Sequence, residues 1–145
     1  MDASVAVAIV SKETDRDTRA SAELARYSGL GYQWYAPGAI ITETLYALCR
    51  KRNEGLLDEA QYAQAAIDFA ALMSGILPLE ESSLIVRAQA IGEGFSCYRS
   101  ADGLYIALAE ELSQSRPTVL LTFDEAMPNQ ARQNAPTVTV QLLTI

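Results

Sequence analysis

Apolar and polar positions along the chain repeat with two different periods, and the changes between them mark the elements. Ala3 to Val10 is an almost unbroken apolar run behind Asp2, which predicts a short helix opened by an acidic residue. From Asp15 to Ser28, Ala20, Leu24 and Tyr27 fall on one helical face, and Gly29 and Gly31 end the segment. Gln33 to Ala36 then has the length of a brief strand. Beyond Pro37 and Gly38, the positions Ile40, Ile41, Thr44, Leu45, Leu48 and Cys49 recur at helical spacing. That helix runs into Arg50, Lys51 and Arg52, charges that suit a helix C-terminus.

In the second half, Asp58 is placed to cap a helix through Ala71, and Ile76 to Leu79 is an apolar run of strand length. Ser82 or Ser83 opens a fifth helix that ends near Gly92. Ala101 to Leu112 is strongly apolar at helical spacing, through Leu104, Tyr105, Leu108, Ala109 and Leu112, and Arg116-Pro117 stops it. Thr118 to Thr122 is β-branched and apolar without alternation, the pattern of a strand covered on both faces. Thr137 to Leu142 makes the last strand. Helices alternating with strands imply right-handed crossovers and a mostly parallel sheet between helical layers, an α/β fold read as a three-layer α/β/α sandwich. No repeat or long linker divides the chain, so residues 1–145 are read as one domain.

Composition narrows the chemistry. Half of the residues are hydrophobic and a fifth are charged, a globular composition; the apolar run near the start is too short to span a bilayer, and the cytoplasm is the expected compartment. There is no histidine, and Cys49 and Cys97 have no CxxC spacing, so zinc sites, Cys-His chemistry and a Ser-His-Asp triad are excluded; both cysteines are expected as small buried hydrophobes. Carboxylates must therefore carry any acid–base or metal chemistry. The net charge of −7 argues against a nucleic-acid partner unless cations bind. Two divalent ions would remove about half of that deficit, and a basic protein partner could offset the rest.

Four acidic residues stand out. Asp124 follows the strand that ends Leu121-Thr122-Phe123, and ligands of parallel α/β sheets bind at the carboxyl ends of strands. Asp102 and Asp2 each open a helix. Each of these three, taken alone, reads more readily as a helix cap than as a site residue. Asp58 is the internal control: it caps a helix, no strand feeds into it, and no chemistry is assigned to it. Glu43 lies roughly 150° from the centre of an apolar stripe through Ile40, Ile41, Leu45 and Leu48, the place of a solvated surface charge. Against that, positions 39 and 47 hold small alanines and offer no basic partner.

The order of these segments carries a resemblance. Asp2-Ala3-Ser4-Val5, then Pro37 with Ile41-Thr42-Glu43, then Ser100-Ala101-Asp102-Gly103 with the apolar helix behind it, then Leu121-Thr122-Phe123-Asp124 resemble the PIN domain, and within it the VapC-type toxins. The resemblance covers nearly the whole chain. It implies a PIN-like α/β/α sandwich and a magnesium- or manganese-dependent endoribonuclease. It implies Asp2, Glu43, Asp102 and Asp124 as metal-holding catalytic residues, with Ser4 and Thr122 as supporting hydroxyls. Four neighbouring carboxylates repel one another, and a divalent cation removes the conflict. Hard oxygen donors favour magnesium or manganese, which would activate a water and offset charge on the attacking and leaving oxygens. The implied partners are RNA, a small antitoxin that places basic side chains in the acidic pocket, and a second copy in a homodimer.

The family pattern puts a hydrophobic strand ahead of the first Asp, whereas only Met1 stands there. The favoured reading is a start placed a few residues late, over a sheet that manages with a shortened strand, and it predicts weakened metal affinity for a poorly anchored Asp2. The phosphatase pattern wants a second Asp where Ser4 stands, and a receiver domain wants a lysine after a late strand, where Lys12 and Lys51 do not lie. The remaining rival is a PIN-fold protein-binding module without hydrolysis. Arg50, Lys51 and Arg52 read either as a track for an RNA backbone or as a solvated helix terminus.

Overall fold

In a computed structural model, residues 1–78, 81–95 and 100–145 are described; Leu79 and Cys97 lie outside them. Seven helices and four short strands follow one another along these residues: α1 Ala3–Val10, α2 Thr14–Gly29, β1 Trp34–Ala36, α3 Ala39–Asn53, α4 Glu59–Ser74, β2 Ile76–Pro78, α5 Ile85–Glu93, α6 Ser100–Ser113, β3 Val119–Thr122, α7 Met127–Asn134 and β4 Thr139–Leu142. A 3-10 turn at Glu81–Ser83 precedes α5.

Each boundary has a local cause. Asp2 caps α1, its Oδ1 accepting the Val5 N–H at 3.3 Å, and the helix is buried at Val5, Ala6, Val7, Ala8 and Val10, as an apolar run without a polar face requires. It ends where Lys12 turns left-handed (φ +55°), and the Glu13 N–H returns to the Ala8 carbonyl at 3.0 Å. Asp58 and Gln61 form a reciprocal capping box at the start of α4, with bonds of 2.8 and 2.9 Å, so the control aspartate is a cap. Gly103, beside Asp102, is a packing glycine: a Cβ there would stand 2.6 Å from the Ala88 carbonyl oxygen of α5. Only glycine lets α6 lie so close to α5.

The architecture is α/β with short parallel strands, and the described residues form no barrel. The expected single sheet is resolved into two parallel ladders. β1 pairs with β2, Trp34 opposite Ile76, and β3 pairs with β4, Val119 opposite Thr139. Between them run only Met1 and Asp2. The Met1 nitrogen donates to the Tyr35 carbonyl at 3.3 Å, and the Asp2 N–H donates to the Leu121 carbonyl at 3.1 Å.

Leu120, Leu121 and Thr122 are buried in succession, which a strand permits only when both its faces are covered, and α1 and α6 both contact β3. On the far side of α6, Arg87 of α5 donates to both Glu110 oxygens at 2.6 and 2.8 Å and to the Asn134 carbonyl at 2.6 Å. That one side chain ties α5, α6 and α7 together, and its hydrogen bonds, with its charge adding, hold the Glu110 carboxyl below its ordinary range. No helix among the described residues is long and apolar enough to cross a membrane.

Candidate active site

Asp2, Glu43, Asp102 and Asp124 line one cavity of about 340 Å³, together with Ala3, Ser4, Ala101 and Tyr105. Four segments deliver them. Asp2 comes from the seam between the two ladders, Glu43 from α3, Asp102 from the first turn of α6, and Asp124 from the turn after β3. Asp2 and Asp102 are buried, at 4% and 8% exposure, while Glu43 and Asp124 are half-buried.

Glu43 reaches this place because the buried face of α3 is not the one expected. Ile40, Thr44 and Leu48 form the buried stripe, and Ile41 and Leu45 are 46% and 42% exposed. At about 100° per residue, the stripe's centre swings toward Glu43 and leaves it roughly 100° away instead of 150°. Hydropathy alone counted Ile41 and Leu45 as core and misplaced the face. The core stripe itself contains a polar group, since Thr44 Oγ1 is buried without a hydrogen-bond partner among the described residues.

The two hydroxyls act as couplings. Thr122 Oγ1 donates to Asp2 Oδ2 at 2.5 Å and accepts the Asp124 N–H at 2.8 Å. Ser4 Oγ donates to Asp2 Oδ1 at 2.6 Å and accepts the Phe123 N–H at 2.9 Å. Asp2 is thereby fixed to the turn that carries Asp124, and Asp124 is fixed by accepting the Ala126 N–H at 2.8 Å. A cap needs one acceptor bond; both Asp2 oxygens are engaged.

Two side chains escaped the sequence reading. Tyr105 donates its hydroxyl to Glu43 Oε2 at 2.5 Å, and Gln130 donates Nε2 to Asp102 Oδ2 at 2.7 Å. Tyr105 sits three residues after Asp102, on the same helical face, a spacing that could have revealed it. Gln130 lies with Met127 and Ala131 on the buried face of α7, and a polar residue inside such a stripe is its own signal. Both tie a distant carboxylate to a rigid helix.

The electrostatics are those of excess negative charge. Burial pushes the Asp2 carboxyl up, against the pull of the Ser4 and Thr122 hydroxyls and the Met1 ammonium. Burial also raises the Glu43 carboxyl, with the Tyr105 bond opposing and the Asp2 charge adding to the rise. Among the described residues, no lysine or arginine lines the cavity. The donor set is carboxylate oxygen from four side chains, which fits a hard divalent cation such as magnesium or manganese. Among the described residues no three acidic, histidine or cysteine side chains are already drawn into a metal-ligating cluster.

The basic run lies elsewhere and is engaged. Lys51 pairs with Glu13 at 2.8 Å, Arg50 with Glu54 at 3.5 Å and Arg52 with Glu59 at 3.9 Å. Its ordinary role as a helix terminus is satisfied. Cys49 is a free thiol and half-buried, less enclosed than expected.

A family model for the PIN domain matches residues 1–133. No curated protein matches the chain.

Proposed function

The chain belongs to the PIN domain family, a family whose members are in general nucleases, and from that premise we propose that it is a divalent-metal-dependent endoribonuclease acting as the toxin of a toxin–antitoxin pair. Asp2, Glu43, Asp102 and Asp124 are its metal-holding and catalytic residues, with Ser4 and Thr122 as supports. The observation that carries this reading is the convergence of four carboxylates from separate segments on one cavity.

When bound, magnesium or manganese supplies Lewis-acid activation of water and relief of charge at the phosphate. The chain's own residues do the positioning. Ser4 and Thr122 orient Asp2 and lock it to the turn of Asp124. Tyr105 and Gln130 each hold one oxygen of Glu43 and Asp102, and thereby set how those carboxylates meet a ligand. Burial raises the Asp2 and Glu43 carboxyls, and the Asp2 charge adds to the rise at Glu43, so a cation that replaces their protons would stabilise the charged forms that burial disfavours. RNA, approaching a chain of net charge −7, needs that neutralisation before its phosphate can enter. An antitoxin that inserts arginine into the cavity would compete for the same carboxylates, and the toxin itself acts as a homodimer.

The test is cleavage of RNA by the wild-type chain and by Asp102→Asn, with magnesium or manganese and with chelator. Cleavage that needs metal and is lost in the variant supports the reading. Equal inertness of both proteins with either metal would favour the protein-binding module.

A further inference from the structure

α2 runs in the opposite direction to β3 and β4. The Tyr27 hydroxyl, near the end of α2, donates to Gln141 of β4 at 2.6 Å, and Gln141 stands opposite Leu121 in the ladder. About three turns earlier on α2, the Arg16 guanidinium lies 5.3 Å from the centre of the Phe123 ring, just past the end of β3. The first turn of α2 is therefore at the carboxyl edge of β3, the edge from which Asp124 enters the acidic cavity.

Arg16, Ala20, Glu23 and Tyr27 recur at helical spacing, and the last three are buried. Arg16 continues that stripe into solvent, where its side chain is 45% exposed. The ring beneath it is held in place: Phe123 is buried, its N–H donates to Ser4 Oγ at 2.9 Å, and Asp124 is the next residue. Chain geometry keeps the guanidinium within roughly 15 Å of the Asp124 Cα. Its acidic partner is a loose one. Arg16 Nη1 is 3.5 Å from Glu13 Oε2, while the other Glu13 oxygen takes the Lys51 ammonium at 2.8 Å, and an exposed pair of that length contributes little. Asp17, on the same turn, accepts the Ser21 hydroxyl at 3.0 Å. Stacking occupies the flat face of a guanidinium and not its N–H edge, so the ring fixes the plane of a fork whose geometry matches two phosphate oxygens. Arg116 also stacks, on Tyr35, but it precedes β3 and lies at the opposite edge.

We propose that Arg16 is a substrate-binding residue: its guanidinium, braced on Phe123, grips a phosphodiester of single-stranded RNA that flanks the one lying over the four carboxylates. This rests on the nuclease reading and adds to it the direction in which the strand leaves the cavity, past the turn of Asp124 toward the first turn of α2. Metal offsets charge at the scissile phosphate, and Arg16 does so at a neighbour. Arg16 touches no reacting atom, so its contribution falls on binding.

The test follows cleavage of a fluorescein-labelled single-stranded RNA with manganese, from about 50 to 200 mM salt, by wild type, Arg16→Gln, Arg16→Lys and Arg50→Gln. Arg16→Gln should raise KM by about 10-fold, the order for one charge-assisted contact, and leave kcat within about twofold. Its plot of log kcat/KM against log salt should be shallower by about 0.7, the share of one phosphate on a single strand. Arg16→Lys keeps the charge and loses the fork, so it should keep the slope and recover part of the KM. Arg50→Gln, which removes the partner of Glu54 at the end of α3, should change neither. A purely structural Arg16 would move Tm or kcat and leave the slope as in wild type; that result overturns the proposal, as does a slope that falls in Arg50→Gln and not in Arg16→Gln. A wild type that cuts no RNA sinks the nuclease reading by itself, and fluorescence anisotropy of the same RNA over the same salt range then decides Arg16: a shallower slope in Arg16→Gln supports it, and an unchanged slope or no binding by wild type overturns it.

Discussion

Replacing Gln130 with methionine removes one hydrogen bond while keeping the length and most of the volume of the side chain. Gln130 is 1% exposed and its partner Asp102 is 8% exposed, so water cannot readily take over the lost donor. The bond is short, 2.7 Å from Nε2 to Asp102 Oδ2, and it ends on a carboxylate. Hydrogen bonds to charged groups contribute about 1.5–3 kcal/mol, and the unbranched thioether fills the vacated space, so the cavity penalty is small. Gln130→Met should therefore lose about 1.5–3 kcal/mol in urea unfolding with an unchanged m value. On the proposal that Asp102 holds metal, loss of this outer partner should weaken metal binding by about 10–100-fold, which a manganese titration followed by electron paramagnetic resonance would read directly. Gln130→Glu should be at least as damaging, since it sets a carboxylate against a carboxylate. If the methionine variant unfolds at the wild-type urea midpoint and binds manganese on the wild-type curve, Gln130 does not hold Asp102 in any way that matters.

Three further outcomes follow from other parts of the molecule. Thr44→Val removes the unpartnered Oγ1 from the α3 core stripe and keeps its shape, so chemical denaturation should show it neutral or about 1 kcal/mol more stable; a loss above 1 kcal/mol would mean that the hydroxyl has a partner. Lys12→Gly relieves a left-handed backbone at φ +55° and should stabilise by roughly 0.5–1 kcal/mol, read by Tm; a fall would show that its long pair with Asp68 contributes more than the strain costs. Asp2 and Glu43 are held above their ordinary values of 3.8 and 4.5, so their stabilising contribution is complete below those values and is lost as pH rises through the raised ones. The Met1 ammonium, lowered from 8.0, works in the opposite sense as pH approaches 8.0. A Tm series from pH 4 to 7 on metal-free Glu43→Gln should fall less steeply than wild type, and manganese should raise the wild-type Tm more at pH 7 than at pH 5; parallel slopes or an equal increment would count against the crowded-carboxylate picture.

The helices were legible because their boundaries are local. A cap such as Asp58 with Gln61, or the apolar run behind Asp2, needs only neighbouring residues to form, and the predicted segments match the observed ones within a few positions. The face that a helix buries is decided by its neighbours. Ile41 and Leu45 look like core and are exposed, while Thr44 is enclosed with Ile40 and Leu48 in a helix that α1 and α4 both contact. The same limit hid Gln130, whose partner lies 28 residues away on another helix. Pairing partners across a sheet are equally nonlocal, so the division into two ladders could not be read from strand propensity.

Asp2 shows how a local rule and a site can share one residue. As a cap it needs a single oxygen near the first turn of α1, and by that measure it is no different from Asp58. What separates the two is the environment of the rest of the carboxylate. Asp58 bonds only within its own capping box, whereas Asp2 is buried, is gripped by hydroxyls from α1 and β3, and raises the Glu43 carboxyl by its charge. A cap alone would be cheaper in an exposed position, because burying a carboxylate opposes its ionisation. The fold keeps Asp2 buried beside three other acids all the same, and a cation in the proposed site would offset that cost. Substituting Asp2 by asparagine keeps the cap and removes the charge, so the apo protein should hold or gain stability while manganese no longer stabilises it; a variant that loses stability and still responds to manganese would assign Asp2 to structure alone.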